Sequence, residues 1–542
     1  MFSVRPSEET VLRYRVSGEW RVDTVVEDVV RWAGRTPDAP AVLAFREGDG
    51  LVTLTYRDLA GWVDRFAAAL AALGVGARDV VAVQLPNWWQ ALVLELACWR
   101  RGAVLVPVMT TIRSRELERI LARVRAAVFI TTDVWEGYEC AAAVAEMAPR
   151  LPVPHHRVVF GEVVADDEID FVRFFQQGSH PVPAPRATDP DAVALVLFTS
   201  GTTGEPTAVL HSLNSLYAGL VPKLPDREGM KLHRFTPQPL MHSLGLWSAS
   251  LSLITGGAAL LVDRWEPRRV ARLLAETGME QMIMVPSFLS GFLAAVREDG
   301  VRLPGLGEVT VGGTAVPPGL VQETAQVLGL PLLMQWGMTE GGLILTRPQD
   351  PPGWAEYSIG RPGVGTEAEL HPVAADAPIT EGNPGRLMIR GASVCLGTVG
   401  RASGTLRVLG EHDGGWYDTG DLALPDGRGG YRLAGRASDR IGGAFMIPVA
   451  DVEDALRAHR DITDVAVVGH RDNLEGCAVL VSAVPVTLQD VRSYLSGLGM
   501  TEWYWPTRVE RVEALPRNHM GKVEKARLRA WLAGETRLPA PA

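Results

Sequence analysis

The densest chemistry in the sequence lies at Thr199-Ser200-Gly201-Thr202-Thr203-Gly204, where four hydroxyl side chains are interleaved with two glycines. Successive small residues let backbone N–H groups turn toward one anion, and the hydroxyls add donors at the same place. The apolar run 195–198 precedes them, so the loop leaves the end of a buried strand. No Gly-Lys-Ser/Thr follows, which excludes the Walker phosphate loop. Elsewhere single residues could do chemistry but have ordinary alternatives. Asp421 follows a glycine, as turn residues often do. His242 lies among apolar residues, as packed core histidines do, and Lys522 follows a glycine near the C-terminus, as solvated surface charges do.

Taken in order, these segments resemble the adenylate-forming, AMP-binding enzymes: acyl-CoA synthetases, aryl-acid ligases, nonribosomal-peptide adenylation domains and luciferases. The family's loop reads TSGTTG-x-PKG, and residues 199–204 match it throughout, with Thr207 and Ala208 in place of Lys and Gly. The resemblance implies that this loop holds the β- and γ-phosphates of ATP, with one positive charge fewer than usual. It further implies that Gly313-Thr314-Ala315 lines adenine through its backbone and that Trp336, in the family's Tyr slot, offers adenine a flat face. Gly337 and Met338 continue that motif. Thr339 would bring a hydroxyl to phosphate and Glu340 a carboxylate to Mg²⁺ held with phosphate oxygens. Asp421 would accept from both ribose hydroxyls, with Arg436 also reaching the nucleotide. Lys522, in PRNHMGKVEK, would balance charge at the α-phosphate as the transition state forms. His242, Ser243, Leu246, Trp247, Gly312 and Met338 fall where relatives line the acid pocket, and bulky Trp247 argues against a long straight acyl chain. The opening 18–42 is similar to that of acyl-CoA-ligase-like members.

The expected reaction is ATP-dependent adenylation of a small aryl or apolar carboxylic acid, with release of pyrophosphate, then transfer to a thiol such as coenzyme A. The hinge segment, residues 435–443, is shorter than the family's after Ile441 and holds Ser438 in the usual hinge slot. In relatives this segment helps build the thiol tunnel. An amine, a carrier protein, or activation of nitrite in place of a carboxylic acid therefore stay open as alternatives, as does a degenerate nucleotide-binding protein. The last is disfavoured because Glu340, Asp421, Arg436 and Lys522 are all present.

The elements that must position these groups alternate in the manner of α/β layers. The pattern predicts helices over 59–73, 90–101 and 267–277, with strands at 80–85, 103–107, 257–262, 281–285 and 331–333. After residue 435 the texture becomes a small α+β unit, with helices at 450–459, 488–498 and 522–532 and strands at 464–469 and 477–484. A large N-terminal part, 1–436, and a small mobile C-terminal lid, 437–542, are expected.

Bulk properties set the outer limits. The chain of 542 residues exceeds one ordinary domain, and 47% hydrophobic with 21% charged residues is a globular balance. Lys and Arg total 53 against 63 Asp and Glu, a formal charge of -10 that argues against a general nucleic-acid or membrane-surface binder. The four cysteines, Cys98, Cys140, Cys395 and Cys477, show no metal-ligand spacing and read as buried free thiols. No signal-peptide pattern opens the chain, and the apolar stretch 247–262 is interrupted by Ser, Thr and Gly. A cytoplasmic enzyme is the expectation. Nothing in the pattern predicts an oligomeric state.

Overall fold

The computed structural model describes the whole chain except residues 1, 153–155, 183–187, 201–205, 225–229, 314–315, 317–318, 374–377, 381–382, 401–405, 411–412, 437–440, 442–446, 472, 518–522 and 535–542. Capping chemistry starts the N-terminal helices where the sequence allows it. Thr24 and Glu27 form a reciprocal capping box on Val25–Arg35, as do Thr55 and Asp58 on Tyr56–Ala72. The apolar face of the second helix then packs against the fully buried helix Trp89–Arg100. The predicted helix–strand alternation is present: Val80–Gln84, Val104–Pro107, Pro267–Thr277 and Gln281–Met284 fall within a residue or two of the expected bounds.

Two nine-stranded sheets carry the large part of the chain. In one, Gln281–Met284, Glu308–Gly312 and Leu332–Met338 run parallel, and Gly341–Leu345 turns back antiparallel beside the last of them. In the other, Val104–Pro107 lies between Val80–Gln84 and Val193–Ser200, all parallel. Buried aromatic side chains tie distant segments together through their polar ends. Trp99 donates its indole N–H to the Ala194 carbonyl at 3.1 Å and Tyr56 its hydroxyl to the Gly257 carbonyl at 2.7 Å. The four cysteines are all buried and unpaired. The apolar stretch 247–262 divides between the helix Ser243–Thr255 and the strand Ala259–Val262, and no described helix is long and apolar enough to cross a membrane.

Two differences from the expected elements matter for the site. The strand expected at 331–333 continues to Met338, so Trp336 and Gly337 are strand residues and only Thr339 and Glu340 form the turn. Glycine makes this hairpin possible. Gly341 has φ +115°, and a Cβ there would lie 2.2 Å from the Ser393 carbonyl oxygen. The last helix begins at Lys525, so Lys522 precedes it and lies outside the described residues.

The C-terminal unit has its own three-stranded sheet, Asp464–His470, Glu475–Val481 and Arg508–Arg511, with its own apolar core. It docks on the helix Ser114–Val124. The Glu116 carboxylate accepts from the Thr501 backbone N–H at 3.0 Å and its hydroxyl at 2.8 Å, while Arg115 and Arg119 reach Asp451 at 3.0 and 3.1 Å. Glu116 and Thr501 are each 1% exposed, so loss of the carboxylate strands two buried donors. Glu116→Ala is expected to raise hydrogen exchange across residues 499–505 by about tenfold. Exchange rates equal to those of the unaltered chain would show that this contact does not hold the unit in place.

One buried carboxyl serves no contact that would keep it charged. Glu95 is 1% exposed inside Trp89–Arg100, its Oε1 has no hydrogen-bond partner among the described residues, and burial holds it well above the usual carboxylate range. Its folded-state value is raised above the unfolded one, so its contribution is favourable at acid pH and is lost as pH rises through that window. Glu95→Gln is expected to raise Tm at pH 8 and change it little near pH 4. A variant that melts lower at pH 8 would refute the assignment.

Candidate active site

The strand ends converge on one cavity of about 510 Å³. Pro107, Thr199, Gly312 and Met338 line it from the C-terminal ends of parallel strands in both sheets. That is the general location of ligand crevices in open α/β sheets. Gly313, Thr339, Glu340, His242, Ser243 and Trp247 line the same cavity, so most of the described residues singled out in the sequence lie together.

The loop after Thr199 is a hairpin connection. Ser200 pairs with Pro206 and Thr199 with Thr207 across the antiparallel strands Val193–Ser200 and Pro206–Ser212. Gly201, Thr202, Thr203 and Gly204 themselves lie outside the described residues, as do Thr314, Ala315 and Lys522.

Glu340 occupies the turn between the strands Leu332–Met338 and Gly341–Leu345 and is 7% exposed. The Tyr417 hydroxyl donates to its carboxylate at 3.1 Å, and the Cys395 N–H to its backbone carbonyl at 2.8 Å. No group of three or more His, Cys, Asp or Glu able to hold a metal occurs among the described residues. One fixed carboxylate on a cavity wall suits Mg²⁺, which takes its remaining ligands from phosphate oxygens and water rather than from a protein cage.

Trp336 and Asp421 form a unit. The indole N–H donates to the Asp421 carboxylate at 3.0 Å, and the two residues are 6% and 5% exposed. Little of the Trp336 ring is open in this conformation, and its clear role here is to orient the aspartate. Asp421 stands opposite Arg436 in the antiparallel pair Tyr417–Pro425 and Tyr431–Arg436, so the two nucleotide candidates are cross-strand neighbours.

His242 caps the helix Ser243–Thr255, accepting the Leu244 N–H at Nδ1, 3.3 Å away. Burial depresses its pKa to about 4, and the helix N-terminus further disfavours a cation, so the ring is neutral at pH 7. The same helix explains the one pocket residue that the structure places elsewhere. Ser243, Leu244, Trp247, Ser248 and Leu251 face the cavity, following the helical repeat, whereas Leu246 points the other way and is fully buried in the core. Gly245 lets the helix approach so closely. A Cβ there would sit 2.0 Å from the Pro239 carbonyl oxygen.

His211 was not singled out in the sequence, yet it braces the site. It is fully buried, with Nε2 2.7 Å from the Thr339 carbonyl and Nδ1 2.9 Å from the Ser215 hydroxyl. A carbonyl only accepts, so Nε2 carries the proton. Its ring meets Trp247 edge-on at 5.9 Å, and burial depresses its pKa to about 4. A lone histidine in an apolar strand carries no signal of this role.

Comparison with known proteins agrees with the geometry. The family model described as AMP-binding enzyme matches residues 29–398, and that of the AMP-binding enzyme C-terminal domain matches 451–522. The chain is 29% identical to a salicylyl-CoA synthase / salicylate adenylyltransferase of a Streptomyces species, with 97% of each chain covered. It is 31% identical to a feruloyl-CoA synthase of an Amycolatopsis species, over 92% of this chain and 97% of the relative. The fold is similar to that of an amide bond synthetase from Marinactinospora thermotolerans, TM-score 0.79 at 24% identity, over 94% of this chain and 99% of the other. Both family matches and the relatives lead to one conclusion, with which the cavity at the strand ends agrees: the chain belongs to the AMP-binding enzyme family, as an AMP-forming acid ligase of the adenylate-forming, acyl-CoA synthetase-like superfamily.

Proposed function

We propose that the chain adenylates an aryl carboxylic acid with ATP and passes the acyl group to a thiol such as coenzyme A. The observation that carries this reading is the single cavity in which Thr199, Thr339 and Glu340 meet the aromatic and apolar walls formed by Trp247, Met338 and Phe288. Trp265 stacks on Phe288 with ring centroids 4.7 Å apart, which stiffens one of those walls against a flat ligand. Relatives named for salicylate and ferulate support an aryl acid.

In the proposed first step a carboxylate oxygen attacks the α-phosphorus of ATP, the α–β bridging bond breaks, and pyrophosphate leaves. Both reactants are anionic, so catalysis consists of charge neutralisation and in-line positioning. Backbone N–H groups of residues 201–204 hold the terminal phosphates, and Asp421, oriented by Trp336, holds the ribose. Neutral His242 borders the acid without adding charge. Mg²⁺ bound through Glu340 supplies charge neutralisation on phosphate oxygens. Lys522 approaches from the small unit, 437–542, which acts as a mobile lid. Thr501, Trp503 and Tyr504 of that unit already line the cavity. In the second step the thiol attacks the acyl carbonyl and AMP leaves. The reaction draws on cytoplasmic ATP, and four buried free thiols suit that reducing compartment.

The test is pyrophosphate release from ATP and Mg²⁺ across benzoates, cinnamates, fatty acids and nitrite, followed by analysis for thioester with coenzyme A. Aryl acids are expected to lead. No release with any acid sinks the reading. Release without a thioester transfers the second step to an amine or carrier protein.

A further inference from the structure

The lining of the cavity contains charge that the proposed adenylation does not use. Lys223 and Arg234 both line it, and Lys223 pairs with Glu308 at 3.0 Å. The Glu308 carboxylate also accepts from the Thr310 hydroxyl at 3.0 Å, and Arg234 donates to the Gln281 side chain. Burial pushes Lys223 below its ordinary value, with Glu308 opposing and Arg234 reinforcing the shift. Burial alone would raise Glu308, but the two cations more than offset it. Two cations face one carboxylate, so this corner holds an uncompensated positive charge in a water-poor place. Buried charge of that kind is costly unless something pairs with it.

Three donors that line the same cavity also lack acceptors. Among the described residues, Arg234 Nε, Gln238 Nε2 and Trp247 Nε1 are buried without a hydrogen-bond partner, and Arg234 and Gln238 are only 4% and 2% exposed. Native structures rarely leave such groups unsatisfied, and several lining one cavity point to a ligand that supplies acceptors. Their position along the sheet gives the direction. Glu308 opens the strand that Gly312 closes, and Arg234 is in register with Gln281 at the start of its strand. That separation is about 13 Å along the strand. The cations therefore approach from the end of the pocket opposite Gly312 and Thr339.

We propose that the acid activated here carries a second anionic group, remote from the carboxyl that reacts, and that Lys223 and Arg234 bind it while Trp247 and Gln238 donate to it or to neighbouring ring substituents. This deepens, and rests on, the reading of the cavity as an aryl-acid site. A carboxylate and an ionised phenol share the required chemistry.

Three acids of one shape separate the possibilities: cinnamate, 4-hydroxycinnamate and 4-carboxycinnamate. Pyrophosphate release is expected to favour a charged analogue over cinnamate by ~100-fold in kcat/KM, as expected where buried donors would otherwise stay unpaired. Which analogue leads identifies carboxylate or phenolate. In Lys223→Met that ratio is expected to fall below ~10-fold, and Lys223→Arg is expected to recover part of it. Calorimetric titration of the same acids without ATP is expected to show the same order of affinity. Preference for unsubstituted cinnamate, or a ratio that survives Lys223→Met, overturns the proposal. Should Lys223→Met fail to fold, the ranking of the three acids on the unaltered chain decides. If no acid releases pyrophosphate, the aryl-acid reading fails, while the calorimetric order still decides whether the corner binds an anion.

Discussion

Lys522→Ala is expected to lower acid-dependent pyrophosphate release by roughly 10²–10³-fold, the usual effect of removing one group that stabilises charge in a transition state. ATP affinity is expected to change far less, because in the proposed mechanism the ground-state nucleotide is held mainly by residues 201–204, Glu340 and Asp421. The structure supplies a control three residues away. Lys525 is committed to Glu453 at 2.8 Å, and Glu453 also accepts the Val467 N–H at 2.8 Å. Lys525 therefore belongs to the internal structure of the small unit, at the start of the helix Lys525–Leu532. Lys525→Ala is expected to lower the melting temperature of that unit and to spare the chemistry of correctly folded molecules. Rapid-quench measurement of AMP-adduct formation, beside fluorescence titration of ATP, separates the two. Equal rates for Lys522→Ala and the unaltered chain would remove Lys522 from the mechanism.

The contrast between these lysines shows what a sequence can and cannot convey. Spacing within PRNHMGKVEK distinguishes Lys522 from Lys525 only through resemblance, whereas the Glu453 pair distinguishes them by contact. Helices such as Pro267–Thr277 were legible because period and caps are local properties: proline occupies its first position and Gly278, at φ +64°, ends it. The loop expected to bind an anion stands out in the sequence because hydroxyls and glycines adjoin in the chain, and its residues 201–204 lie outside the described ones. Leu246 was misplaced because a motif names residues without fixing the face of the helix that carries them. His211 was missed for a related reason. Its partner carbonyl belongs to Thr339, 128 positions away, and only the packing of two sheets brings them together.

The Lys223, Arg234 and Glu308 cluster lies at the same limit. None belongs to a motif, and charged side chains ordinarily lie in water. Lys223 and Glu308 are 85 positions apart, so no local pattern marks them as neighbours. On the proposed reading, substrate choice in this chain resides in long-range contacts, while the residues proposed for adenylation lie in short contiguous motifs. That division explains why the reaction class follows from sequence more readily than the identity of the acid.

Glu340→Gln is the second variant with a large expected effect. The amide keeps the size and shape of the side chain, and the Tyr417 hydroxyl can still donate to its carbonyl oxygen. The Cys395 N–H contact to the backbone is untouched, and Gly341 still permits the turn. What changes is the charge that Glu340 would present to Mg²⁺ in the proposed mechanism. A monodentate carboxylate is a far better ligand for a hard cation than a neutral amide. The expected outcome is about a 100-fold fall in kcat/KM for adenylation at 1 mM Mg²⁺, of the order found when electrostatic stabilisation of a transferring phosphoryl group is removed. Raising Mg²⁺ is expected to recover part of the loss, so the half-saturating concentration moves upward. The unaltered chain should saturate at lower Mg²⁺ under the same ATP. A variant with reduced rate but an unchanged Mg²⁺ dependence would place Glu340 in the support of the turn rather than at the metal.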